Sequence, residues 1–174
     1  MKNIRIEIKW ALIFTLTSIL WMLLEKIVGL HTTHIESYNT YSNLYFIPVI
    51  VIYIMALLEK RKKFYKGTMN YKQGIISGAI ITIITTILIP LTQYITYKFV
   101  VPDFFINFIN YAVNGGMNRM DAEKTYSMSR LIIMGLIGTP IVGIFLTLII
   151  AIFTRKKDKS ELFLPKSKNK LEPL

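Results

Sequence analysis

The stretch QGIISGAIITIITTILIPLTQYITY, Gln73 to Tyr97, runs between Lys72 and Lys98 without a single charged residue. A helix on the surface of a soluble domain needs a polar face. This one carries Ile, Leu, Gly and Thr all round, which suits hydrocarbon. At about 1.5 Å per residue it exceeds the roughly 20 residues that cross about 30 Å of lipid. Lipid offers the backbone no hydrogen bonds, so the segment must be a helix that satisfies its own N–H and C=O groups. Working outward, windows 10–30, 41–58 and 131–154 have the same character, the first interrupted only by Glu25 and Lys26. The composition agrees: 53% hydrophobic residues and a mean hydropathy of +0.46, against roughly 45–50% apolar residues in ordinary soluble domains. The expected fold is all-α and polytopic. Residues 1–157 form one domain of four transmembrane helices in a bundle. A short helical extramembrane hairpin lies in the 98–130 connection between spans three and four, and a basic tail, 158–174, is expected to be disordered.

Charge sets the orientation. Most of the 21 Lys and Arg residues in this chain of net charge +11 flank the same side of the membrane. They are Lys2, Arg5 and Lys9 before span one, the run from Lys60 to Lys72 between spans two and three, and Arg155 to Lys170 after span four. Only Lys98, Arg119, Lys124 and Arg130 lie on the other side, with Lys26 inside span one. The positive-inside rule then places both termini in the cytoplasm. Anionic lipid headgroups are the expected partners of these clusters, and no nucleic acid is expected, because orientation alone accounts for the bias. The basic start and apolar core of the N-terminus imitate a signal peptide, but no small-residue cleavage site follows, so an uncleaved anchor is expected. The chain has no cysteine, hence no disulfide or thiolate chemistry.

Small residues mark the packing faces. Gly74 and Gly78 in span three, and Gly135, Thr139 and Gly143 in span four, recur at the four-residue spacing that lets membrane helices approach closely, either within the chain or between copies. Asn70 is positioned to cap span three, Gly67 to turn the chain before it, and Pro48 to bend span two. In the outer connection, PDFFINFINYAV puts Phe104, Phe105, Phe108, Ile109 and Ala112 on one side of a helix, suited either to the membrane interface or to capping the bundle. Asn118 and Asp121 have capping-box spacing for a second helix starting near Arg119 and continuing toward span four.

The chemistry candidates gather at the outer level. Glu25 lies about 22 Å beyond Trp10, and Gln93, Tyr94 and Arg130 reach a similar height from spans three and four. Lys26 points about 100° away from Glu25 and cannot pair with it face to face. A carboxylate inside a span is costly and faces protein or water. Glu25 is therefore either a structural partner of Arg130 or Gln93, or part of a ligand, ion or proton site. His31 and His34, with Glu36, are weak metal candidates lacking a fourth ligand, so no metal site and no cofactor are expected. Nucleotide, hydrolase and zinc-protease signatures are absent, and Asp103, Asp121 and Glu123 read as helix-start residues, which disfavours enzyme activity.

Taken together and in order, WMLLEKIVGLH (21–31), YKGTMNYKQGIISG, PLTQYI, PDFF with NYAV, and the closing FTRKK resemble the uncharacterised membrane family called domain of unknown function 4199, found mainly in Bacteroidota. The resemblance covers about residues 5 to 157. It implies a four-helix protein of the bacterial inner membrane with no established activity, in which Glu25, Lys26, Gly29, His31, Gly67, Gly74, Gly78, Pro90, Gln93, Tyr94 and Pro102 are signature positions. The leading expectation is a non-enzymatic accessory or scaffold subunit of a membrane complex, with a membrane partner or a second copy packed on the small-residue faces. The alternative is a small transporter or lipid-handling protein using the polar layer around Glu25.

Overall fold

A computed structural model describes residues 4–156; the expected disordered tail, 158–174, lies outside them. The described chain is helical, with one isolated antiparallel bridge between Met69 and Lys156. The elements are α1 (Arg5–Ile27), α2 (Tyr38–Tyr41) between two 3₁₀ turns (Ile35–Ser37 and Ser42–Tyr45), α3 (Phe46–Lys63), α4 (Tyr71–Ile95), α5 (Phe104–Asn114), α6 (Arg119–Thr125) and α7 (Met128–Thr154). Four stretches are long and apolar enough to span a membrane: Arg5–Ile27, Ile35–Lys63, Tyr71–Val100 and Met128–Thr154.

Local chemistry sets the helix ends, and these differ from the hydropathy windows. The first helix starts at Arg5 and stops at Ile27, not at 10 and 30, because Gly29 adopts φ +78° and closes a Schellman motif: its N–H donates to Lys26 and that of Leu30 to Glu25. The second helical run starts at Ile35, shortening the expected outer turn. The third begins under a capping box, Asn70 with Gln73. It then continues through a π-helical turn, Thr96–Val100. Pro48 sits in the first turn of α3, where a missing N–H is least disruptive. Asn118 caps α6 by accepting from the Met120 N–H, without the reciprocal Asp121 bond of the expected capping box, and α6 does not continue into α7. The chain breaks at Tyr126, and Ser127 starts a new helix by accepting from the Arg130 N–H.

Both α3 and α4 touch α1, α7 and each other, so that α1 and α7 face each other across a diagonal with α3 and α4 between them. The α4–α7 pair is the closest. Gly74 lies against Ala151 and Gly78 against Thr147, while in return Gly143 lies against Thr82 and Gly135 against Ile89 and Gln93. A β-carbon on Gly78 would meet the Thr147 side chain at 2.3 Å. The small-residue faces, expected to pack either within the chain or between copies, are therefore occupied within it. Thr139 is turned elsewhere, toward cavities between α7 and α1.

The apolar core is concentrated toward the end that carries the termini, where Trp10, Ala11, Ile52, Tyr53, Leu57, Ile81, Ile150 and Ala151 are buried together. At the opposite end α5 lies over the bundle and buries Phe104 and Phe108 with Val101, so its aromatic face caps the helices. Large apolar side chains such as Phe153 and Ile87 are exposed outward, as lipid-facing residues are.

Substituting Gly78 with Leu should lower the melting temperature in detergent and the folded yield, since overpacking typically costs about 1–3 kcal/mol. Gly138→Ala, at a glycine with nothing within 4 Å of the added carbon, should leave both unchanged. Size-exclusion profiles and thermal unfolding of the two variants make the comparison.

Candidate functional site

Glu25 stands one turn before the Gly29 reversal, and that reversal brings the chain back over it. Its carboxylate accepts from Trp21 Nε1 at 2.6 Å and from Ser42 Oγ at 2.7 Å. His31 Nε2, delivered by the turn, lies 3.2 Å from its other oxygen. The residue is only 1% exposed. A side chain at position 29 would collide with Thr33, so the reversal requires glycine for space as well as for φ.

His31 is itself buried among rings, edge-on to Phe104 at 5.1 Å and close to Tyr38 and Phe108. Its carbonyl accepts from Asn107 Nδ2 at 3.0 Å, which ties α5 to the turn. Nδ1 has no partner. The tautomer that satisfies the ring therefore carries its proton on Nε2 and donates it to Glu25. Three donors thus surround the carboxylate, and none of them is a lysine or an arginine.

The outer polar layer expected from the sequence is only partly assembled. Glu25 and Gln93 line one cavity of about 280 Å³, to which all four spans contribute. Gln93 donates through Nε2 to the Leu131 carbonyl at 3.1 Å, which fixes its amide orientation and leaves Oε1 buried without a partner. Lys26, Tyr94 and Arg130 do not join them. Lys26 is exposed and its ammonium reaches the Val100 carbonyl at 2.7 Å, closing the π-helical turn. Tyr94 is exposed and accepts from Lys98 at 2.6 Å. Arg130 is exposed at the start of α7, so neither of the expected structural pairings of Glu25, with Arg130 or with Gln93, is formed. His34 and Glu36 are exposed while His31 is buried, and no cluster of three metal-ligating side chains occurs among the described residues.

The hollow has clear physical causes. Gly135 and Thr139 on α7 are too small to reach α1 across the diagonal, and the gap continues into a second cavity of about 250 Å³ that shares Phe14, Tyr45, Gly135 and Thr139. On the outer flank of α1 a groove of about 520 Å³, with apolar walls of Leu24, Val28, Leu30 and Leu44, reaches Glu25 from the other side. Trp21 and Glu25 are common to the groove and the first cavity.

A second buried carboxylate escaped the sequence reading. Glu7 is 1% exposed and pairs with Lys60, 3% exposed, at 2.8 Å, and it also accepts from Ser77 at 2.7 Å. Lys60 was grouped with the basic loop facing headgroups. It turns inward instead, joining α1, α3 and α4. Beside it Glu59 accepts from Lys9, from Lys63 and from Trp10 Nε1. Glu7 was missed because the hydropathy window opens at Trp10, beyond it. The available signal was its position one helical turn before Trp10, on the same face.

Four spans, a capped far end and a polar hollow inside the bundle define a multi-pass helical membrane protein. Residues 9–156 match the family model described as Protein of unknown function (DUF4199), and the chain belongs to that family. No curated protein and no solved structure matches it.

The two carboxylates predict different behaviour. Lys60→Met strands Glu7 without its cation and should cost about 3–5 kcal/mol. Adding Glu7→Leu to that variant should restore most of the loss, because the apolar pair needs no desolvation. Thermal unfolding of the single and double variants in one detergent measures both effects.

Proposed function

We propose that this protein handles a small ligand or lipid in the membrane, as a small transporter or lipid-binding protein, and that its working site is the cavity beside Glu25. One observation carries this reading. A buried carboxylate borders a hollow in the bundle, where an amide oxygen also lacks a partner. The other buried carboxylate takes another form: Glu7 is matched to a lysine, Lys60, and to Ser77, whereas Glu25 is held by Trp21, Ser42 and His31 and by no lysine or arginine. Polar groups left incompletely paired in a cavity are the usual mark of a binding site. The accessory-subunit reading has less support, because the small-residue faces that suggested it are turned inward.

The basic clusters at the termini support a bacterial inner-membrane location with both ends in the cytoplasm and anionic lipids around them, which puts the Glu25 cavity toward the outer face. Because the native chain has no cysteine, single-cysteine labelling reads this directly. A membrane-impermeant maleimide should label Asn114→Cys in intact cells, and Lys66→Cys only after the inner membrane is opened. The opposite pattern would reverse the topology.

The function itself is tested by purifying the tagged protein from its own membranes in mild detergent and analysing retained lipids, small molecules and proteins by mass spectrometry. A ligand retained by the wild type and depleted in Glu25→Gln is the expected result. A stoichiometric protein partner with no ligand would instead establish the accessory-subunit reading.

A further inference from the structure

The lining of the cavity specifies what it can hold. Two groups on its lining can accept a further hydrogen bond: Gln93 Oε1, which has no partner, and the Glu25 carboxylate, which takes two donors on one oxygen and only His31 on the other. Reversing the Gln93 amide would set its oxygen against the Leu131 carbonyl, so the free group is an acceptor and not a donor. Aromatic rings of Trp21, Tyr38, Tyr45 and Tyr97 form much of the wall, and no lysine or arginine lines it among the described residues. Carboxylate oxygens, an open carbonyl and π faces are the three features that stabilise an ammonium group. An anion would bring further acceptors to a lining whose open groups are acceptors, and a neutral molecule would offer no charge-assisted donor.

We infer that the cavity between Glu25 and Gln93 binds a primary ammonium group, carried either by a free amine or by an ethanolamine-type lipid headgroup. This rests on the ligand-handling reading above and narrows it to a chemical class. A primary ammonium has three N–H donors, enough for Glu25, Gln93 Oε1 and one hydroxyl of the wall. A quaternary ammonium has none and would leave Gln93 unmatched. The volume of about 280 Å³ suits a headgroup-sized ligand, and the apolar groove that shares Trp21 and Glu25 is placed to take a lipid chain if the amine belongs to one.

The experiment follows thermal unfolding and Trp fluorescence of the full-length protein in nonionic detergent at pH 7. Ethanolamine hydrochloride should raise the melting temperature saturably, whereas ethylene glycol and sodium chloride at matched concentration should not. Tetramethylammonium should bind at least about tenfold more weakly, the expected effect of losing charge-assisted hydrogen bonds. Glu25→Gln should weaken ethanolamine by a similar factor. Gln93→Leu should do the same while leaving every donor to Glu25 in place, which keeps the test decisive if Glu25→Gln fails to fold. Stabilisation by phosphatidylethanolamine nanodiscs over phosphatidylglycerol nanodiscs, without a response to free ethanolamine, would support the inference and assign the amine to a lipid. An equal response to ethylene glycol, sodium or tetramethylammonium would overturn it, as would undiminished binding in Gln93→Leu. If no ammonium probe acts but mass spectrometry finds a neutral or anionic ligand lost in Glu25→Gln, the inference fails and the cavity reading stands. No response and no retained ligand removes both.

Discussion

The close approach of α4 and α7 is the contact on which the rest of the bundle depends. Lipid tails are as apolar as leucine, so spans gain little from hiding hydrophobic surface from one another and associate through van der Waals fit. Here the fit is reciprocal: Gly78 receives Thr147, and Gly143 receives Thr82. Each threonine also returns its hydroxyl to the carbonyl of the glycine one turn earlier on its own helix, Thr82 to Gly78 and Thr147 to Gly143. The polar atom is thereby satisfied and the methyl is left to pack. Tyr53 on α3 hydrogen-bonds Thr82 at 2.8 Å, which extends the seam to a third helix. With these contacts concentrated toward the end bearing the termini, that end packs densely. Farther along α7, Gly135 and Thr139 leave space on the side facing α1.

The two ends of the bundle treat buried charge in opposite ways. At the terminal end Glu7 and Lys60 neutralise each other, and Ser77 fills a further acceptor site, so the cost of desolvating two charges is offset by direct contact. At the far end Glu25 has donors from Trp21, Ser42 and His31, but the nearest lysine in sequence, Lys26, is committed to Val100 on the outside. Clamping three helices needs only a closed pair. Glu25 is instead held by Trp21, by His31 from the Gly29 turn and by Ser42, with no lysine or arginine against it.

Much of this architecture was legible in the sequence, because long uncharged runs, paired small residues and Asn caps act locally. The Gln73–Tyr97 run, the Asn70 and Asn118 caps and the small-residue spacing can all be read along one helix, though not which neighbour the glycines meet. What could not be read depended on contacts between distant segments. That Lys60 turns inward depends on Glu7 lying opposite it on another helix. That Tyr94 and Arg130 face away from Glu25 depends on helix rotation, and residues at equal height need not share a face. His31 was seen as a weak metal candidate. Its actual place under Phe104 and Phe108 follows from the Schellman motif, whose signal, Gly29 just after the last helical turn, was present but was not followed to its consequence for the next two residues.

The cap and the groove together constrain how Glu25 can be reached. From the far end, the rings of Phe104 and Phe108 cover His31 and Tyr38, and Asn107 fastens α5 to the His31 carbonyl, so that direction is closed by aromatic side chains and a hydrogen bond. From the side, the groove along Leu24, Val28 and Leu44 meets the same carboxylate, with apolar side chains making up most of its walls. A molecule entering by this groove would pass apolar walls before it met the carboxylate. The groove also gives Trp21 a definite place in the site, because its indole bonds Glu25 and stands between groove and cavity. Trp21, on α1 and against Tyr45, lies outside the α4–α7 seam, so the residue that parts the two spaces takes no part in the contacts that pack the other end of the bundle.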